Sequence, residues 1–291
     1  MNRFRLQAVE GGGRAADTWC EPRDSRHLAR EPGVAVGVGD DMVDRIVGQI
    51  GEAASCFHAM RPQVVAGDRA VAEVEAVREA LKLERMHLFG NSWGGWLATQ
   101  YVLDRSPELV SLTISSSPPS VERVVREMNE LRRELPADAQ RVLDDHEARG
   151  VFNCPEYTAA VMVFYKRHLC RLERWPEGVE YALGEGFGSG PYLTMWGPSE
   201  FGPVTGNLSG WDVTDRLGEI TVPTLLTVGR YDEMSPAHME DMRARMPNAE
   251  LVVFEESSHM AFVEERTAYV ATMNRFLDRV ERASQPKSGG Q

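Results

Sequence analysis

The chain has 291 residues, enough for one large α/β domain with an insertion, and its net charge of −12 argues against general nucleic-acid binding and favours cationic small substrates. No stretch of about eighteen apolar residues marks a membrane span, and residues 1–6 lack the apolar core of a signal peptide. Four cysteines (Cys20, Cys56, Cys154, Cys170) show neither metal-ligand spacing nor a disulfide framework, so a reduced cytoplasm is the expected location. Residues 1–70 carry little periodicity: 33–38 reads as one short strand, and 21–31 is rich in Arg, Ala and charge. Residues 71–83 read as a helix with apolar Val71, Val74, Val77 and Leu81 at helical spacing. A short strand over 86–89 runs into Gly90-Asn91-Ser92-Trp93-Gly94, and 95–103 reads as the following helix. Residues 109–115 form the next strand, ended by Ser116-Ser117-Pro118-Pro119. From about 120 to 206 the pattern changes to amphipathic helices, including 122–135 and 137–149, with Tyr157, Phe164, Tyr165, Trp175 and Tyr181 adding aromatic content. A buried strand over 222–229, a helix from 236 to about 246 and a short strand over 251–254 restore the α/β pattern.

The glycine-flanked serine is the strongest chemical signal. G-x-S-x-G between a strand and a helix is a nucleophile elbow, in which a strained turn lifts the serine hydroxyl above the sheet. Gly90 and Gly94 are expected because bulkier flanks would collide with the backbone. The turn places N–H groups, beginning with Trp93, at a helix N-terminus where an oxyanion develops.

A serine hydroxyl needs a base, and on such sheets the chain order is Ser, acid, His. Asp232 follows the 222–229 strand and His259 follows the 251–254 strand, so both fall at the Ser92 edge of the sheet. Alone, an aspartate there is usually a turn or cap residue, and a single histidine is usually packed or solvated. The joint order, each residue after a strand, distinguishes them. His87 lies inside a strand, and His146 and His168 fall in the helical insertion.

From about residue 71 to 277 the chain resembles the proline iminopeptidases, α/β-hydrolase aminopeptidases that remove an N-terminal residue, often proline, from short peptides. The resemblance rests on Gly90-Asn91-Ser92-Trp93-Gly94-Gly95, on Met195-Trp196-Gly197-Pro198-Ser199-Glu200-Phe201 and on Gly229-Arg230-Tyr231-Asp232-Glu233. The spacings agree: 232 − 92 = 140 and 259 − 232 = 27. It implies an α/β-hydrolase fold, with a mostly parallel sheet flanked by helices and a helical cap insertion. It implies a triad of Ser92, Asp232 and His259, with Glu200 and Glu233 binding the substrate's free amino group. Near neutral pH that amine, of pKa about 7.7–8.0, is largely cationic, so two carboxylates would hold it by charge-assisted hydrogen bonds. The pocket wall is expected from the cap and from Trp93. The expected partners are short peptides, or amino-acid amides and esters, with a free N-terminus. No metal or organic cofactor is required, and neither nucleic acid nor membrane is an expected partner.

The expected organisation is an atypical segment over 1–70, a core over 71–118 and 207–283, a cap over 119–206 and a disordered tail over 284–291. The family's H-G-G-P-G loop, which supplies a second oxyanion N–H, is not legible in 1–70; Gly11-Gly12-Gly13-Arg14 has no His before it and no Pro after it. The early strands are therefore atypical or missing, as a shifted reading frame or a replaced segment would produce. Two further readings stay open: an esterase or amidase on the same triad, and an inactive remnant on an incomplete scaffold.

Overall fold

The computed structural model describes residues 67–186 and 190–284. Most of the atypical 1–70 segment and nearly all of the expected tail lie outside these residues. In chain order, α1 (Gly67–Ala80) leads to β1 (Met86–Asn91), α2 (Trp93–Arg105) and β2 (Leu109–Ser115). Five helices follow: α3 (Val121–Arg132), α4 (Ala137–Ala148), α5 (Pro155–His168), α6 (Glu177–Gly186) and α7 (Gly190–Met195). A 3-10 helix (Thr214–Glu219) returns the chain to β3 (Thr224–Gly229), α8 (Pro236–Arg245) and β4 (Ala249–Phe254). Two helices close it, α9 (Ala261–Glu264) and α10 (Arg266–Ser284).

The described strands form one sheet in the order β1-β2-β3-β4, parallel throughout. Parallel neighbours need crossovers, and helices supply them on both faces. Side-chain alternation decides which face each residue meets. Leu112 and Ile114 of β2, with Leu226 and Val228 of β3, pack with Tyr101 and Val102 of α2 and with Met239 and Met242 of α8. Each such fully buried aliphatic side chain contributes roughly 1.5–3 kcal/mol of transfer free energy. The opposite face meets α10, where the Tyr269 hydroxyl lies 3.2 Å from Thr227 Oγ1 and its ring stacks on Phe254. His87 is a satisfied structural residue, its ring bonded to Ser111 Oγ at 2.7 Å and to Glu281 at 2.8 Å.

Two expectations for the first helix need correction. It begins at Gly67 and ends at Ala80, so Leu81 lies beyond it. Only Val71 and Val74 pack on the core, whereas Val77 and Leu81 are more than half exposed. The apolar spacing continues past the point where a neighbouring surface exists to cover it.

The chain between β2 and β3 makes the cap. Val124, Met128, Leu143 and Phe164 are buried together, and Arg132 clamps α3 to α4 through Asp144 (2.6 Å) and Glu147 (2.7 Å). The cap meets the core where Trp96 of α2 stacks on Trp196, centroids 6.0 Å apart and planes 4° from parallel. Among the described residues no helix is long and apolar enough to cross a membrane.

Candidate active site

Ser92 sits between β1 and α2 with φ 53° and ψ −127°, a conformation that a non-glycine residue rarely adopts. Such strain costs on the order of 1–3 kcal/mol and persists only where the surroundings dictate it. Here strand β1 delivers the chain and helix α2 starts at once with Trp93, whose N–H stands at the helix N-terminus. Gly90 is required by close approach: a Cβ there would lie 2.3 Å from the Gly94 carbonyl oxygen. Gly94 is not, since a Cβ would meet no described atom within 4 Å. The second tight position is Gly95, whose Cβ would fall 2.4 Å from Ser117 Cβ. The steric reason expected for Gly94 therefore belongs to its neighbour.

Asp232 and His259 come from the loops after β3 and β4 and meet there. His259 Nδ1 donates to Asp232 Oδ1 at 2.9 Å, and the same oxygen accepts the Met234 N–H at 2.8 Å. Both side chains are buried. The two loops run against each other: Tyr231 N–H donates to the Ser257 carbonyl, and Arg230 grips Glu255 through two bonds of 2.6 and 2.7 Å. Only glycine fits at the end of β3, because a Cβ on Gly229 would stand 2.1 Å from the Ser258 carbonyl oxygen.

Three consecutive serines at the end of β2 tie Ser92 to the histidine loop. Ser92 N–H donates to the Ser115 carbonyl at 3.0 Å, and Ser117 Oγ donates to the Ser92 carbonyl at 2.7 Å. Between them Ser116 Oγ donates to the His259 carbonyl at 3.3 Å. The cap supplies a further tie. The His168 carbonyl at the end of α5 accepts the N–H of Glu233 (3.3 Å) and of His259 (3.2 Å). Its imidazole, pushed down by burial and hence neutral, donates Nδ1–H to the Tyr231 carbonyl at 2.9 Å. Neither the serines nor His168 announced this role in the sequence; three polar residues closing a buried strand are the only signal there.

Two further carboxyls lie close by, Glu233 buried and Glu200 half-buried. Glu233 Oε1 lies 4.0 Å from His259 Nδ1, while Glu233 Oε2 and Asp232 Oδ2 are buried without a hydrogen-bond donor among the described residues. Glu200 Oε2 accepts from the hydroxyls of Tyr165 (3.0 Å) and Tyr192 (2.5 Å). Its backbone sits in a tight turn: Trp196 Nε1 donates to the Ser199 carbonyl, and Ser199 Oγ accepts the Gly202 N–H. Burial raises the Glu200 carboxyl, and the two phenols only partly oppose it. Burial, then the charges of Glu200 and Asp232, push Glu233 up to about 8 against the pull of His259. Burial alone would lower the His259 imidazole; Asp232, Glu233 and Glu200 outweigh it and hold it at about 9.

Glu200 also lines a cavity of about 970 Å³ with Phe152, Tyr157, Met162, Tyr165 and Trp175. Every described residue on its wall belongs to the cap. Trp93 is not among them; it lines a separate cleft of about 250 Å³ with Val71, Leu97 and Trp211. Its side chain also packs against the buried cluster that includes the cap.

The model of the α/β-hydrolase fold matches residues 67–266. A proline iminopeptidase of Heyndrickxia coagulans is 38% identical over 215 residues, 73% of this chain and 74% of that protein. The chain belongs to the proline iminopeptidase family. A second member, from Lactobacillus helveticus, is 36% identical over 94% of the chain and 89% of its own length, an alignment that reaches into the first 70 residues. The crystal structure of a Mycobacterium smegmatis proline iminopeptidase superposes with a TM-score of 0.71 at 33% identity, covering 78% of this chain and 76% of that one. As a proline iminopeptidase relative on this fold, the chain is a serine hydrolase.

The two elbow glycines generate a test specific to this family member. Gly94→Ala leaves the midpoint of chemical unfolding and the hydrolysis of a proline arylamide near wild type, within about 0.5 kcal/mol. Gly90→Ala, forced against backbone atoms that cannot yield, destabilises by more than the 1–3 kcal/mol usual for overpacking and abolishes turnover. Equal tolerance at the two positions would contradict the steric assignment.

Proposed function

We propose that the chain is a serine aminopeptidase that releases N-terminal residues, proline preferred, from short peptides through an acyl-enzyme. The observation that carries this reading is the pairing of His259 with Asp232 beside two carboxyls, buried Glu233, which keeps an unbonded oxygen, and half-buried Glu200. A triad alone serves esters, amides and peptides alike. Acids next to it select a cation. The ammonium of a peptide N-terminus supplies charged donors for Glu200 and for Glu233 Oε2, whereas an internal peptide bond offers one neutral N–H and no cation. An N-terminal proline carries a secondary amine with two N–H donors when protonated, one for each carboxylate. A primary ammonium brings a third N–H that must find another acceptor. The name borne by the family's curated members agrees with that preference.

In this mechanism Ser92 Oγ attacks the carbonyl carbon of the first residue while His259 takes the hydroxyl proton. Asp232 fixes the ring through Nδ1, so Nε2 is the working nitrogen, and stabilises the imidazolium. The Trp93 N–H donates to the oxyanion. The imidazolium then protonates the departing amine as the C–N bond breaks. Water attacks the acyl-enzyme with His259 again accepting the proton, and the free amino acid leaves. The pocket carboxylates hold the amine throughout, which positions the first carbonyl over Ser92.

Ser92→Ala lowers proline arylamide hydrolysis by on the order of 10⁶-fold, the scale found when a protease loses its triad serine. It also abolishes labelling by a fluorophosphonate. Retention of more than a few per cent of activity in the purified variant rules out this nucleophile. Glu200→Gln lowers kcat/KM on the arylamide by roughly 10- to 150-fold, the equivalent of about 1.5–3 kcal/mol for a hydrogen bond to a charged group. A simple aryl ester loses far less; equal losses on both would assign Glu200 to the scaffold.

The charge cluster also sets a pH dependence. In the free enzyme His259 must be neutral to accept a proton, and its raised value of about 9 keeps it protonated at neutral pH. Activity measured as kcat/KM therefore rises with pH on its acid limb, toward that value. Bound ammonium offsets the negative charges that hold the imidazole up, so the limb of kcat lies at lower pH than that of kcat/KM. Glu200→Gln removes one of those charges and moves the kcat/KM limb to lower pH. An unmoved limb would mean Glu200 does not act on His259.

The missing H-G-G-P-G signature sets the rate of the chain as written. With only one of two oxyanion donors identifiable, turnover stands about 10²–10³-fold below that of a chimera whose residues 1–70 are exchanged for a family segment bearing that loop. Equal rates for the two proteins would show that residues 1–70 already supply the second donor.

A further inference from the structure

We propose that the cap carries a binding site for a zinc-like divalent cation, formed by His146, Cys154 and Glu156. One ligand atom from each of the three lies within 4.8 Å of the others. The residues come from two successive helices. His146 is in the last turn of α4, Cys154 is the residue immediately before α5, and Glu156 is in the first turn of α5. Residues 149–153 join them in a short turn with Gly150 at φ +66°. The hairpin therefore brings the three together whether or not an ion is bound.

The imidazole is already oriented for coordination. Its Nδ1–H donates to the Val142 carbonyl at 2.8 Å, which leaves the Nε2 lone pair outward. A backbone carbonyl behind a ligating histidine is the usual way such a ring is fixed and made more basic. Cys154 is a free thiol and only half-buried, so an ion can reach it. Glu156 is exposed and free to swing inward. Around a tetrahedral ion with Zn–S of about 2.3 Å and Zn–N of about 2.0–2.1 Å, ligand atoms stand roughly 3.5 Å apart. Closing from 4.8 Å takes only side-chain rotation.

The donor set fixes the class of ion. Thiolate with imidazole favours zinc and its neighbours in the transition series, whereas magnesium and calcium require oxygen ligands. Binding converts the thiol to thiolate, so each ion that enters releases one proton from Cys154 and affinity increases with pH. The fourth coordination position is left to water. Cysteine spacing could not reveal this site, because only one of its ligands is a cysteine.

The site bears on the cavity through the turn it closes. Gly150, Val151, Phe152 and Asn153 all line the cap cavity, and Phe152 packs edge-on against Tyr157, centroids 5.6 Å apart. An ion joining His146 to Cys154 clamps both ends of that wall. Metal occupancy thus stiffens this wall of the cavity, and changes substrate affinity rather than the chemical step.

The test is optical and independent of turnover, so it fails or succeeds separately from the aminopeptidase reading. Cobalt(II) is titrated into the reduced, purified full chain, and the thiolate-to-cobalt charge-transfer absorption is recorded. One equivalent should produce the band, and zinc(II) should displace it. Calorimetry in buffers of differing ionisation enthalpy should show about one proton released per ion. Cys154→Ser removes the band while leaving circular dichroism unchanged. His146→Gln weakens cobalt binding by more than the roughly 10–100-fold typical of losing an outer-shell partner. Glu156→Gln, an exposed change that leaves the fold intact, weakens it less but measurably. Absence of a thiolate band in the wild-type chain overturns the proposal. So does a band that survives Cys154→Ser, since another cysteine would then carry it.

Discussion

The site depends on one carbonyl oxygen. At the end of α5 the backbone of His168 accepts hydrogen bonds from the N–H of Glu233 and from that of His259. A carbonyl oxygen has two lone pairs, and both are committed here. The loop after β3 and the loop after β4 are thereby held at a common distance from the cap. The neighbouring bonds reinforce it: Met260 N–H donates to the Leu169 carbonyl, and Glu264 accepts the Arg171 N–H at 2.6 Å. The Arg171 guanidinium lies 3.7 Å above the Tyr231 ring. Each such bond contributes a modest net stability, about 1 kcal/mol, but leaving a buried partner unmade costs more. The last turn of α5 is therefore scaffolding for the Asp232–His259 pair as well as part of the cap.

The electrostatics follow from that closure. Asp232, Glu233 and His259 are buried, with Glu200 half-buried beside the cavity, and charge interactions strengthen as the surroundings dry. Burial raises the carboxyls of Glu200 and Glu233, while the surrounding negative charges raise the His259 imidazole. That arrangement is costly for an empty protein and useful for one that takes up a cation. It explains why Glu200 is braced by two phenols and why its turn is fastened on both sides. A carboxylate aimed by hydrogen bonds loses little entropy when a ligand arrives.

Much of this was legible in the chain. Strand β2 occupies residues 109–115, as its unbroken apolar run with interleaved Ser and Thr implied. The elbow and the seven-residue cap motif around Glu200 were local patterns, and local patterns survive in sequence. What was not legible was long-range. The partners of Ser116 and Ser117, of His168 and of Tyr165 are set by segments far away in the chain. Val77 and Leu81 misled because periodicity reports a face and not whether anything covers it. Gly94 misled because a motif names both glycines while the steric demand falls on Gly90 and Gly95.

The cavity wall has a consequence for divergence. Its described residues all come from the insertion between β2 and β3, whereas Ser92, Asp232 and His259 all follow core strands. The cavity wall and the three triad candidates are thus encoded in separate stretches of the gene. Substitutions at Phe152, Met162 or Trp175 can reshape the chamber without altering the chemistry below it. The contacts between cap and core limit this freedom, among them the His168 carbonyl, the Arg171 pairings and the Trp96–Trp196 stack. Any cap transplanted from another lineage must reproduce them, whatever else it changes.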